Sequence, residues 1–144
     1  LSVLTQEYSG EFRWVVNVFV ALPTVRTTVQ LHTFMQTVFE LQGRYGGFVN
    51  RLDFGDKGAN LLIFWGAPVA HENDIQRALE FLLDLQTRTS IPVSAGVSYR
   101  ISHAGAMGGS LAEEYTCYGR GVNLAARLMQ TSSPGDILVD EDVA

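Results

Sequence analysis

Asn123 and Arg127 stand four residues apart in the stretch Glu114-Tyr115-Thr116-Cys117-Tyr118-Gly119-Arg120-Gly121-Val122-Asn123-Leu124-Ala125-Ala126-Arg127, and on a helix that spacing puts both on one face. An amide would project there beside a forked, permanently charged guanidinium. Taken alone, such a pair is more often a solvated helix surface. Val122, Ala125, Ala126 and Met129 fall on a different face and form the apolar stripe of the same helix. Leu124 and Leu128 lie off that stripe, so they pack beneath a neighbouring segment or contribute to a subunit interface. Two further polar groups stand out by position. Lys57 sits at the tip or shoulder of Gly55-Asp56-Lys57-Gly58, and Thr116 lies in a strand-like run. Separately these read as a loop lysine and a strand threonine.

These residues need a scaffold. Trp14 to Ala21 is rich in valine and aromatics and carries no charge, which predicts a strand buried on both faces and ended by Pro23. From Val25 to Gln42, apolar residues at Val29, Leu31, Phe34, Met35, Val38 and Leu41 approximate a helical period, and Gly46-Gly47 stops it. Phe48 to Phe54 and Asn60 to Trp65 predict a hairpin around the Lys57 loop. Asn73 or Asp74 caps a second helix with a stripe of Ile75, Ala78, Leu79, Leu82 and Leu83. Pro92 to Tyr99 alternates apolar and small polar residues as a half-buried strand does. His103 to Met107 and Tyr115 to Tyr118 predict short strands around Gly108-Gly109. A third helix spans Gly121 to Gln130, and Ser133-Pro134-Gly135-Asp136 turns the chain into a strand from Ile137 to Val139. Strand, helix, strand, strand, helix, strand is the ferredoxin-like split βαβ order, an α+β fold whose two helices cover one face of an antiparallel sheet.

The chain has 144 residues, 47% of them hydrophobic, enough for one domain to bury a core without disulfides or structural metals. No repeat or linker suggests a second domain, and the abrupt ends suggest a domain excised from a longer chain. The net charge of −5, with its ten basic residues scattered, argues against a nucleic-acid or anionic-membrane surface. Cys117 is the single cysteine, which excludes an intramolecular disulfide and suits a reducing compartment, so a cytoplasmic location is expected. No apolar run approaches the roughly 20 residues of a membrane span. His71-Glu72 lacks a second histidine four residues after His71, the glycines lack a phosphate-loop lysine, and no serine sits in a nucleophile elbow.

The Glu114 to Arg127 stretch resembles the class III adenylyl and guanylyl cyclase domains, whose signature is a strand ending in Y-T-x-x-G followed by x-V-N-L-A-A-R. The resemblance extends from about Trp14 to Val143. It takes in Tyr45-Gly46-Gly47-Phe48-Val49-Asn50-Arg51, Asp56-Lys57-Gly58, Phe64-Trp65-Gly66-Ala67-Pro68 and Ser133-Pro134-Gly135-Asp136. It is greatest to the second catalytic half of soluble, bicarbonate-responsive adenylyl cyclases and similar bacterial domains. In that family two domains pack head to tail with each active site between them. The resemblance implies a single cyclase homology domain over 1–144, with Arg127 stabilising phosphate charge in the transition state and Asn123 positioning the ribose. It implies that Lys57 donates to the purine ring and that Thr116 reads its exocyclic group. A lysine donor with a threonine acceptor suits ATP better than GTP.

The family binds two metal ions through two aspartates, the first in an F-x-D motif. Here Phe19-Val20-Ala21 places Ala21 at that position, and a methyl group cannot ligate Mg²⁺. Gly55-Asp56 superficially supplies the second aspartate, but Asp56-Lys57-Gly58 matches the purine-lysine loop better, so Asp53 and Asp56 read as loop residues, with metal contact by Asp56 the minority alternative. Tyr99-Arg100 replaces a small residue and glycine, so Arg100 either narrows the site, reaches phosphate or is an exposed strand-end arginine. The implied function is a half-site of an adenylate cyclase that makes cyclic AMP and pyrophosphate from ATP. This half supplies base, ribose and phosphate contacts, and a second cyclase domain supplies the Mg²⁺ or Mn²⁺ ligands. The isolated chain is then expected to be inactive. The alternative is a catalytically inactive nucleotide-binding or dimerisation module that regulates its partner.

Overall fold

The computed structural model describes residues 11–55, 58–66, 70–107, 114–118, 120–140 and 143. Its elements are β1 (Glu11–Leu22), α1 (Thr28–Tyr45), β2 (Phe48–Gly55), β3 (Gly58–Trp65), α2 (Asp74–Arg88), β4 (Ser94–Met107), β5 (Glu114–Tyr118), α3 (Arg120–Thr131) and β6 (Ile137–Val139). The strands form one sheet in the order β2-β3-β1-β4-β5. β6 pairs parallel to β4 over Ala95 to Val97, while the other ladders are antiparallel. The α+β split βαβ architecture is the expected one.

Local signals set most boundaries. The first helix starts at Thr28 rather than Val25 because Thr27 is its cap. The Thr27 hydroxyl accepts from the Gln30 amide at 3.1 Å and the Gln30 side chain accepts from the Thr27 amide at 3.1 Å, a reciprocal capping box. Val25 is instead a buried residue of the connection. Gly46, at φ 79°, closes the helix with its amide on the Gln42 carbonyl at 2.8 Å. The two short strands expected over 92–99 and 103–107 are one continuous strand, because β1 pairs with β4 from Ser94 to Ala104 and β5 takes over to Met107.

β1 is buried on both faces from Val15 to Val20, as its valine-rich, uncharged run implies, whereas Trp14 is 50% exposed. Val16, Val18, Val20 and Leu22 point into a core closed by Phe34, Val38 and Leu41 of α1 and by Ala78, Phe81, Leu82 and Leu85 of α2. Leu83, assigned by period to the α2 stripe, is exposed, and Phe81 takes the core position. The stripe is centred on Ala78, Phe81, Leu82 and Leu85, and Leu83 lies to one side of it. α1 and α2 thus cover one face of the sheet, as expected.

The third helix covers the opposite face. Phe19 and Leu62 form a second small core with Ala125 and Met129 of α3, and Val15 and Phe64 extend it towards Phe48 and Val122. α3 lies unusually close to β4. A Cβ placed on Gly96 would stand 2.1 Å from the Ala125 carbonyl oxygen, 2.4 Å from the Met129 nitrogen and 2.8 Å from the Leu128 Cβ. Two of these atoms are helix backbone and cannot rotate away. Gly96→Ala therefore has to lift α3 off the sheet, and we expect it to destabilise the domain by about 1 to 3 kcal/mol, the scale of core overpacking. Urea unfolding checks this, and an unchanged midpoint would contradict the packing.

Candidate functional site

α3 is built so that Asn123 and Arg127 face outwards. Ala125 and Met129 are buried, Val122 and Ala126 are half-buried against the same cluster, and Asn123 and Arg127 are exposed. The apolar stripe and the shared outer face are those that the helical period predicts. Leu124 and Leu128 are half-buried. The Leu128 side chain flanks Gly96, so it packs on β4 rather than standing free.

The sheet beside α3 carries a row of alternating strand positions. Ala21, the penultimate residue of β1, pairs with Asn60 on one side and Ser94 on the other, and Asp53 of β2 pairs with Asn60. Because Leu22, Ala59 and Leu61 point into the opposite core, alternation places Ala21 and Asn60 on the face that α3 covers. Ala21 is half-buried and packs on the Phe19, Leu62, Ala125 and Met129 cluster. In the next row, the Arg51 guanidinium carbon lies 5.8 Å from the centroid of the Phe19 ring, and its Nε is 3.7 Å from a carboxylate oxygen of Asp53. Cation and ring attract electrostatically at this separation. Asp53 is therefore a strand residue paired to a guanidinium, not the loop residue expected.

The remaining residues singled out by sequence fall unevenly. Thr116 lies in β5 opposite Gly105. Lys57 and Asp56, between β2 and β3, are outside the described residues. Arg100 does not stand free. It pairs at 3.2 Å with Asp140, which is 8% exposed. The Asp140 carboxylate also accepts from the Tyr99 amide at 3.2 Å and the Val143 amide at 3.1 Å. β6 and β5 pair with different parts of the same β4 edge, and Asp140 binds that edge between them. The sequence reading missed Asp140, for which the sequence carries no signal. It also missed Asn17, whose signal is a polar residue inside Trp14 to Val20.

Among the described residues, no three histidine, cysteine, aspartate or glutamate side chains gather where they could hold a metal ion. Ala21 offers only a methyl group, and the Asp53 carboxylate is paired with Arg51. The described part of this chain does not fit a metal centre of its own. Nor is any helix among the described residues long and apolar enough to cross a membrane.

No protein-family model matches the chain. Among curated proteins it is 31% identical over 153 residues to adenylate cyclase type 10 of Homo sapiens, an alignment covering 94% of this chain but 9% of the human protein. Among solved structures, the adenylyl cyclase CyaB from P. aeruginosa superposes with a TM-score of 0.79 at 19% identity, over 93% of this chain and 80% of that one. The guanylate cyclase domain of RhGC from Catenaria anguillulae, solved in complex with GTP, gives a TM-score of 0.75 at 23% identity, over 92% of this chain and 81% of that one. One fold thus accompanies both cyclase names.

Because Asn123 and Arg127 are exposed and make no part of the apolar seat of α3, their removal should leave the fold intact. We expect Asn123→Ala and Arg127→Ala each to shift stability by no more than about 0.5 kcal/mol, the usual range for surface changes. Thermal unfolding of both variants checks this, and a loss of several kcal/mol would show that these side chains hold the fold.

Proposed function

Since the chain belongs to the class III nucleotide cyclase domains, we propose that it is one half of an adenylate cyclase site, working with a second cyclase domain that carries the metal carboxylates. The observation that carries this reading is the juxtaposition on one side of the sheet: an exposed amide and guanidinium on α3, and a methyl group at the strand position where a carboxylate would bind metal. This half holds and polarises the nucleotide. Asn123 positions the ribose so that its 3'-hydroxyl meets the α-phosphate. Arg127 stabilises charge as pyrophosphate leaves, because a guanidinium presents paired donors to phosphate oxygens. Lys57 and Thr116 read adenine. Mg²⁺ or Mn²⁺ would be held by carboxylates of the partner half.

The chain spans 9% of the human relative, so the activity of any longer protein is part of this proposal. A second reading has Ala21 for support. Its methyl is sunk in the α3 cluster, which suits a module retained for pairing and nucleotide sensing after its metal chemistry was lost.

The two readings separate by turnover. The chain alone should make no measurable cyclic AMP with Mg²⁺ or Mn²⁺, since a symmetric pair would present Ala21 on both sides. In a complex with a metal-competent partner, Arg127→Ala should lower kcat about 100-fold with a smaller change in ATP affinity, the scale of losing a preorganised electrostatic donor. Arg127→Lys should recover little of this. Co-purification with the partner is the control, and intact pairing with near-normal turnover leaves only the regulatory reading. Lys57→Ala should weaken ATP use and relax the preference against GTP by about 1 to 3 kcal/mol. Equal ATP and GTP kinetics in wild type and variant would remove Lys57 from the site.

A further inference from the structure

We propose that Asn17 and Ser98 form a buried polar latch that sets the axial register of α3 and so act as positioning residues for Asn123 and Arg127, an inference that rests on the half-site reading. Both side chains are fully buried, and the two residues face each other across the β1–β4 ladder. The Ser98 hydroxyl donates to the Gly121 carbonyl, in the first turn of α3, at 2.5 Å. The Asn17 amide nitrogen lies 3.4 Å from the Ser98 oxygen and 3.4 Å from the Val15 carbonyl. A serine has one proton to give, so with Gly121 taking it the hydroxyl accepts from Asn17. The chain of donors thus runs from the sheet to the helix.

The remaining oxygen of Asn17 is buried without a hydrogen-bond partner among the described residues. An unpaired buried acceptor is costly, and a valine at this position would continue the apolar run of β1 without one. Packing therefore gives no reason for an asparagine here. A directional requirement does. Elsewhere α3 lies over Gly96 and seats Val122, Ala125 and Met129 on Val15, Phe19, Leu62 and Phe64, small or apolar groups whose attraction is non-directional. A hydrogen bond to one named carbonyl is satisfied in one register. Asn123 lies two residues and Arg127 six residues beyond Gly121 on the same rigid element, so a slide carries both by the same displacement. A shift near 1 Å in a positioning group costs on the order of 100-fold in rate.

The test uses the complex of this chain with a metal-competent cyclase partner. An Asn17→Val/Ser98→Ala double variant removes the latch and the unpaired oxygen together. We expect its thermal midpoint to stay at or above that of the wild type while kcat falls about tenfold and the KM for ATP changes less than about twofold. The amides of Ala125 and Ala126 should exchange hydrogen about tenfold faster. A kcat within about twofold of wild type overturns the proposal. If the midpoint falls together with kcat, Ser98→Ala in an Asn123→Ala background decides. The latch acts through the α3 register if the second loss is largely absent there, and it is refuted if that loss is undiminished. Should Asn123→Ala itself leave kcat unchanged, the half-site reading fails, and the exchange rates alone support or refute the latch.

Discussion

The backbone of α3 rests against the bare Cα of Gly96, with 2.1 Å between the Ala125 oxygen and the place a Cβ would occupy. No other residue type permits a helix to lie so near the middle of a strand. The contact brings Ala125 and Met129 onto Phe19 and Leu62, and Val122 of the same helix packs on the adjoining Val15 and Phe64. With Ala125 and Met129 turned inwards, the helical repeat leaves Asn123 and Arg127 turned outwards. Their exposure is thus a consequence of how the other face is used.

That arrangement asks β1 to serve two cores at once. Its even-numbered residues from Val16 to Leu22 meet α1 and α2, and Val15 and Phe19 meet the α3 side. A strand in this position cannot alternate apolar with polar, so its sequence runs Trp-Val-Val-Asn-Val-Phe-Val. The end of such a strand is where a polar group becomes affordable, because Ala21 is only half-buried. A carboxylate there would need a cation to offset its desolvation. An alanine needs none and adds its methyl to the α3 cluster instead.

How much of this could be read from sequence differed by the type of signal. Periodicity carried the three helices, the outward face of Asn123 and Arg127, and the two-sided burial of β1, because each is written in short-range spacing. It failed at Leu83, where two leucines in succession compete for one stripe and only packing decides. The side of the sheet that α3 covers was not legible, since Gly96 reads as a strand glycine until the helix is seen against it. The partner of Arg100 was hidden for a similar reason. That partner, Asp140, is forty residues away and has no motif. Arg51 and Asp53 were likewise invisible as a pair, because a β-bulge between Val49 and Arg51 resets which residues face α3.

The charges on this face of the sheet bear on why a half-site would omit its carboxylate. Arg51 lies beside Phe19 and already holds Asp53, the one described carboxylate of this row. A second carboxylate at position 21 would stand one row from the same guanidinium. An ion pair within one surface neutralises the groups that a bound polyphosphate and its cations would need. Dividing donors and carboxylates between two domains avoids this, because the opposite charges meet only when the domains close on a ligand. On the half-site reading, the loss of a ligand at Ala21 and the retention of Asn123 and Arg127 are one division of labour, and the exact seating of α3 determines whether the donors arrive where the partner's charges require them.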